Sequence, residues 1–141
     1  QWVYLHPNGL VVVGLQREHP AVGAIRAARG RGRVAPMVSG DVKGKRKRGA
    51  QGVQPGRELC RVEVGPARWP VFACVRGKVI EMNPRVVEDP GLLSEHCEGE
   101  GFVAVIGDVA PKELQSLRER TSLFPGDELW KVERAGADQA A

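Results

Sequence analysis

The stretch 53-VQPGRELCRVEVGPARWPVFACVRG-77 decides how the chain is read. Leu59, Arg61 and Glu63 alternate with Cys60, Val62 and Val64, and Val71, Ala73 and Val75 alternate with Phe72, Cys74 and Arg76. A period of two on both sides of a turn-rich segment, Gly65–Pro70, predicts a β-hairpin. With the turn centred near Ala67, Cys60 faces Cys74 across the strands. The two cysteines then form a disulfide if the backbone separation allows it, or serve as small buried apolar residues. Trp69 beside Arg68 is the composition of an interface hot spot. The plainer reading is that Trp69 folds back on the sheet and only Arg68 faces solvent. Pro66 and Pro70 stiffen the tip, which lowers the entropy lost on binding.

Outward from this hairpin the chain stays rich in turns. Trp2–Leu5, then Pro7-Asn8-Gly9, then Leu10–Leu15 predicts a second hairpin, because Asn-Gly supplies the positive φ of a tight turn. Pro20 opens a short helix through Arg26 with Val22, Ile25 and Ala28 inward. Val34–Val38 reads as a strand and Val42 as part of the next. Val38-Ser39-Gly40-Asp41-Val42 echoes Val75-Arg76-Gly77-Lys78-Val79, as two half-repeats of a flattened barrel would. Gly77 permits close backbone approach, and Asn83 ends its strand; both read as structural turn residues. The chain turns at Pro84 and Pro90-Gly91, and Gly101–Ile106 returns as a buried strand. Pro111 begins a helix with Leu114 and Leu117 on one face. Pro125–Arg134 predicts a further helix, with Asp127 and Glu128 near its start and Lys131 and Arg134 near its end. Residues 1–134 are expected to form one domain and 135–141 a disordered tail.

The chain has 141 residues, 18 of them glycine and 10 proline, a balance that favours a β-rich fold with many turns. Its net charge is +4, but the charge is uneven. Arg26, Arg29, Arg31 and Arg33 lead to the run Lys43, Lys45, Arg46, Lys47 and Arg48, relieved only by Asp41, while Glu88, Asp89, Glu95, Glu98 and Glu100 form an acidic counterpart. Such asymmetry steers acidic partners. The basic run reads as a partner-binding loop, as an import signal, or as a solvated loop that keeps the protein soluble. Nucleic acid is the less apt partner, since few aromatics are interleaved to stack on bases. Arg76 joins Arg68 and Trp69 as a binding candidate.

Val53-Gln54-Pro55-Gly56, a hairpin tip, and Val75-Arg76-Gly77-Lys78-Val79-Ile80-Glu81-Met82-Asn83 together resemble the lipoyl-carrying H-protein of the glycine cleavage system. Trp2-Val3, a glycine-containing turn and Val11-Val12-Val13-Gly14, with Pro111-Lys112-Glu113-Leu114 later, extend that similarity over nearly the whole chain. The resemblance implies a mainly β barrel-sandwich hybrid with short peripheral helices. Laid on this chain without a gap, that family's lipoyl lysine falls on Pro66, and no lysine stands between Lys47 and Lys78. A lipoyl carrier is therefore disfavoured, and no cofactor is expected.

A narrower resemblance rests on His6-Pro7-Asn8, His19-Pro20, Val38-Ser39-Gly40, Lys47-Arg48-Gly49-Ala50-Gln51, Cys74-Val75-Arg76-Gly77 and Glu81-Met82-Asn83. These segments are similar to the Abitram (Simiate) family of small eukaryotic proteins. That resemblance implies a non-catalytic adaptor, actin-binding and associated with nuclear transcription sites, in cytoplasm and nucleus. A looser link implies an accessory co-chaperone factor in the maturation of a translation elongation factor GTPase.

Nothing in the sequence supplies catalytic chemistry. There is no G-x-S-x-G, H-E-x-x-H or P-loop pattern, and His96-Cys97 lacks metal-ligand spacing. His6 and His19, each beside a proline, read as capping or turn residues. Three cysteines without C-x-x-C spacing point to a reducing compartment. No apolar run is long enough to span a bilayer. The chain begins at Gln1 and not at methionine, so a preceding segment, with or without a targeting signal, is expected.

Overall fold

The computed structural model describes residues 1–6, 8–38, 51–120, 122–123 and 129–131. Two antiparallel sheets share one hydrophobic core. The first hairpin forms where the sequence places it: β1 (Trp2–Leu5) pairs with β2 (Val11–Gly14), Val3 opposite Val13. Gly9 takes φ 91° in the connecting turn, and Asn8 Oδ1 accepts the Leu10 N–H at 3.0 Å. Helix α1 (Pro20–Ala27) buries Ala21, Val22 and Ile25.

Strand β3 (Arg33–Pro36) and the hairpin β5 (Glu58–Val64) and β6 (Ala67–Phe72) make the smaller sheet, in the order β3-β5-β6. The short β4 (Gly52–Val53) pairs with β7 (Gly77–Met82) in the larger sheet. After β7 come α2 (Pro84–Glu88), α3 (Leu92–Glu95), β8 (Ala104–Gly107), α4 (Pro111–Arg120), β9 (Ser122–Leu123) and β10 (Leu129–Lys131). The seven-stranded order is β4-β7-β8-β2-β1-β10-β9. The architecture is mainly β with short peripheral helices, as a barrel-sandwich hybrid requires.

Four expectations are corrected. The Gly65–Pro70 turn is only two residues long, because Val64 pairs with Ala67 and Gly65 takes φ 58°, the positive φ that a type II′ turn needs at its first central position. The ladder then runs on through Arg68, Trp69 and Pro70. Counted from Val64 and Ala67, Arg61 and Pro70 form a non-hydrogen-bonded pair on an outer strand, so the missing proline N–H removes no ladder bond. Cys60 accordingly faces Val71 and not Cys74; no disulfide joins the three cysteines, and all are buried.

The simple alternation in β5 also breaks. A register shift between Glu58 and Cys60 turns both Leu59 and Cys60 into the core. At the far end, Leu129–Lys131 is a strand and not part of a helix: Trp130 lies opposite Val3 and Leu129 opposite Tyr4. The open edge of β1 satisfies that backbone, and this long-range pairing outweighs the charge pattern that suggested a helix. The basic run 43–48, Val42 and the tail 135–141 lie outside the described residues, as does the Leu117 side chain.

Candidate functional site

The hairpin tip is built from the turn outward. Gly65 and Pro66 are exposed, and Arg68 follows with its side chain 66% exposed. Trp69 lies opposite buried Val62 and packs against the core, half-buried. Of the tip pair, then, the arginine meets solvent and the indole is largely a packing group. Across the smaller sheet Arg33, Glu63 and Arg68 share one row, since Arg33 pairs with Glu63 and Glu63 with Arg68. Glu63 lies 3.6 Å from both guanidinium groups. Beside that row, Glu58 accepts from Arg61 Nε at 2.9 Å and Nη2 at 3.2 Å, and this bond holds the Glu58 carboxyl below its usual range.

Arg76 is not part of this surface. It sits beyond the opposite end of β6, where its Nε donates to Gln54 Oε1 at 2.9 Å and its backbone N–H to Glu113 Oε1 at 3.3 Å. Gly77 begins β7, and a Cβ there would stand 2.6 Å from Gly107 O and 2.7 Å from Ile106 Cγ2. Asn83, only 2% exposed, donates through Nδ2 to Glu100 O at 2.9 Å and Phe102 O at 2.8 Å. Its Oδ1 accepts the Arg85 N–H at 3.1 Å, capping α2 with Pro84 at the first helical position. That cap-plus-proline signal was visible in the sequence as Asn83-Pro84, where only a turn was expected.

Gln1 closes the outer edge of β6. Its Nε2 donates to Phe72 O at 2.8 Å and its Oε1 accepts the Phe72 N–H at 2.8 Å. His19 caps α1: Nδ1 accepts the Ala21 N–H at 3.0 Å, and burial lowers its pKa to about 4. Cys60 is pushed up to about 12 by burial and then by Glu58, so its thiol stays protonated and inert near neutral pH. Cys74 holds a positive φ of 68° in the buried turn after β6.

An open cleft of about 520 Å³ lies between the β2–α1 loop, α1 and the turn after α3, lined by Arg17, Arg26, Ser94, His96 and Glu98 among others. In the sequence His96 is weighed only as a metal ligand and Ser94 is set aside as a serine with no histidine nearby, yet the two stand two positions apart and line the same cleft. Ser94 Oγ donates to Gly91 O at 3.0 Å, so its proton is committed to the backbone. The acidic stretch finds described partners in Arg17, 3.8 Å from Glu98, and Arg85, 3.5 Å from Glu100. Among the described residues no three His, Cys, Asp or Glu side chains come together as a metal site, and no helix is long and apolar enough to cross a membrane.

The family model for the glycine cleavage H-protein matches residues 1–124. Protein Abitram of Gallus gallus is 30% identical over 135 residues, covering 92% of this chain and 76% of that protein. Protein Abitram of Xenopus tropicalis is 28% identical over 109 residues, covering 72% of this chain and 58% of that protein. The chain thus spans less than two thirds of the Xenopus relative. The crystal structure of a glycine cleavage system H protein from Mycobacterium marinum aligns with a TM-score of 0.53 at 18% identity, over 96% of this chain and 83% of that one. That likeness carries the fold.

Proposed function

We propose that this chain, which belongs to the glycine cleavage H-protein family and within it to the Abitram proteins, is a non-catalytic adaptor that docks on an acidic protein surface. One observation supports this reading above the rest. The exposed hairpin tip carries Pro66 and the exposed Arg68 two residues on, and no lysine stands between Lys47 and Lys78 to bear a lipoyl arm. A proline has no amine to acylate, and guanidinium groups at the tip favour recognition of carboxylates over group transfer. Actin is the candidate partner that the Abitram resemblance implies, with action in cytoplasm and nucleus. The basic run Lys43–Arg48 would add long-range attraction to such a partner.

The test is an affinity capture from eukaryotic lysate read by quantitative mass spectrometry. The baits are the wild type and a variant carrying Lys43→Gln, Lys45→Gln, Arg46→Gln, Lys47→Gln and Arg48→Gln. Actin enriched on the wild type and depleted on the variant, with capture weakening as salt rises, is the expected result. Enrichment of an elongation factor GTPase with its chaperone would replace actin by that client. A mass gain matching lipoate after treatment with a lipoyl ligase would overturn the adaptor reading.

A further inference from the structure

The outer face of the smaller sheet has a layered charge arrangement. In the row Arg33–Glu63–Arg68 the arginine side chains are 74% and 66% exposed, whereas the Glu63 side chain is 23% exposed. The acid therefore lies beneath and the two guanidinium groups lie on top. At 3.6 Å on each side, Glu63 aligns both cations without engaging most of their five N–H donors each. In the next row Arg61 stands between Ala35 and Pro70, and its guanidinium is already held by Glu58 at 2.9 and 3.2 Å. What solvent meets on this face is the pair of guanidinium groups of Arg33 and Arg68.

The geometry selects among anions. Arg33 and Arg68 stand two strand spacings apart, roughly 10 Å between backbones. Carboxylates seven residues apart on one helix face are separated by a similar rise, about 10.5 Å. Of the hairpin's aromatics, Trp69 is turned toward the core side with Val62 and Phe72 is buried, so this face offers no stacking platform for bases. The outer strand β6 is a poor template for strand addition, because Pro70 lacks an N–H and Gln1 already holds Phe72.

We infer that this sheet face is a docking platform for an acidic helical protein segment, with Arg33 and Arg68 as twin anchors aligned by Glu63. The inference rests on the protein-binding reading above and names its recognition surface. It does not depend on the basic run 43–48.

The experiment measures binding of the full chain to a fluorescein-labelled helical peptide with glutamates at i and i+7 positions, by anisotropy at low and moderate salt. A single-stranded RNA of equal charge is the second probe. Three proteins are compared: wild type, Arg33→Gln/Arg68→Gln, and Arg17→Gln/Lys78→Gln. The last removes two exposed charges that are paired elsewhere, Arg17 (68% exposed) with Glu98 and Lys78 (47% exposed) with Asp108. Thermal melts confirm that each variant folds. The platform predicts at least tenfold weaker peptide binding for Arg33→Gln/Arg68→Gln, less than threefold for the control pair, and tighter binding of peptide than of RNA. Equal losses in the two variants would reduce the effect to net charge and overturn the platform. Tighter RNA binding, or no peptide binding even at low salt, would overturn it as well. If lysate capture is lost with the 43–48 variant but retained by Arg33→Gln/Arg68→Gln, the platform fails while the adaptor reading stands.

Discussion

Two polar arrangements in this molecule are opposites. At the end of β7, Asn83 is buried and both ends of its amide are engaged, with two carbonyls and one backbone N–H. On the outer face of the smaller sheet, Arg33 and Arg68 are aligned on Glu63 but remain mostly exposed. A buried polar group is tolerated only when satisfied, so Asn83 locks the chain's turn into α2. An exposed cation aligned but not engaged adds little stability and keeps its donors for a partner. The difference separates residues that hold the fold from residues that present a surface.

The most severe break in that contrast is Asn83→Ala. It removes the cap of α2 and leaves the Glu100 and Phe102 carbonyls without their donor, an expected loss of about 3 kcal/mol in urea unfolding. Gly77→Ala, at the other end of the same strand, forces a methyl against Gly107 O and Ile106. About 2 kcal/mol of destabilisation is expected, read by the same unfolding curves.

A smaller effect tests whether a half-buried cap behaves like the buried or the exposed class. His19 accepts at Nδ1 from Ala21 N–H, and its pKa falls from the ordinary 6.5 to about 4. The unfolded chain gains that proton near pH 6.5, whereas the folded chain resists until about pH 4. The stabilisation is whole above pH 6.5 and is lost as pH drops toward 4. About 1–2 kcal/mol is expected over that window once solvent screening is allowed for. His19→Asn keeps a cap without a titrating group, so melting temperature should then vary less between pH 6.5 and 4. The smallest effect sharpens the contrast from its other side. Arg33→Gln/Arg68→Gln should shift folding stability by less than about 0.5 kcal/mol while weakening the binding measured above. A stability loss as large as that of Asn83→Ala would move this row into the structural class.

Local chemistry was legible wherever it is self-contained. Asn8-Gly9 marked the β1–β2 turn, Pro20 the start of α1, and Pro111 the start of α4. The hairpin around Gly65 was legible as a hairpin but not in its turn length. Pro66 and Pro70 together suggested a longer loop, and only the outer position of β6 makes Pro70 compatible with the ladder. Leu129–Lys131 was misread for a related reason: proline and charge placement describe a local preference, while β1 supplies a distant backbone partner. Of the site residues singled out in the sequence, Arg68 lies on the exposed face, Trp69 beneath it and Arg76 at the other end of the hairpin. Arg33 and Glu63 carried no signal on their own, being ordinary charged residues thirty positions apart.

By itself the sequence determined the residues able to turn, the excess of positive charge and the lack of a lysine at the tip. Those properties belong to single residues or near neighbours, and no tertiary contact can alter them. Register was decided only in the folded molecule. The two-residue turn at Gly65 and the pairing of β3 with β5 together set Glu63 between Arg33 and Arg68. A shift of one residue in either ladder would turn alternate side chains to the opposite face and dissolve that row.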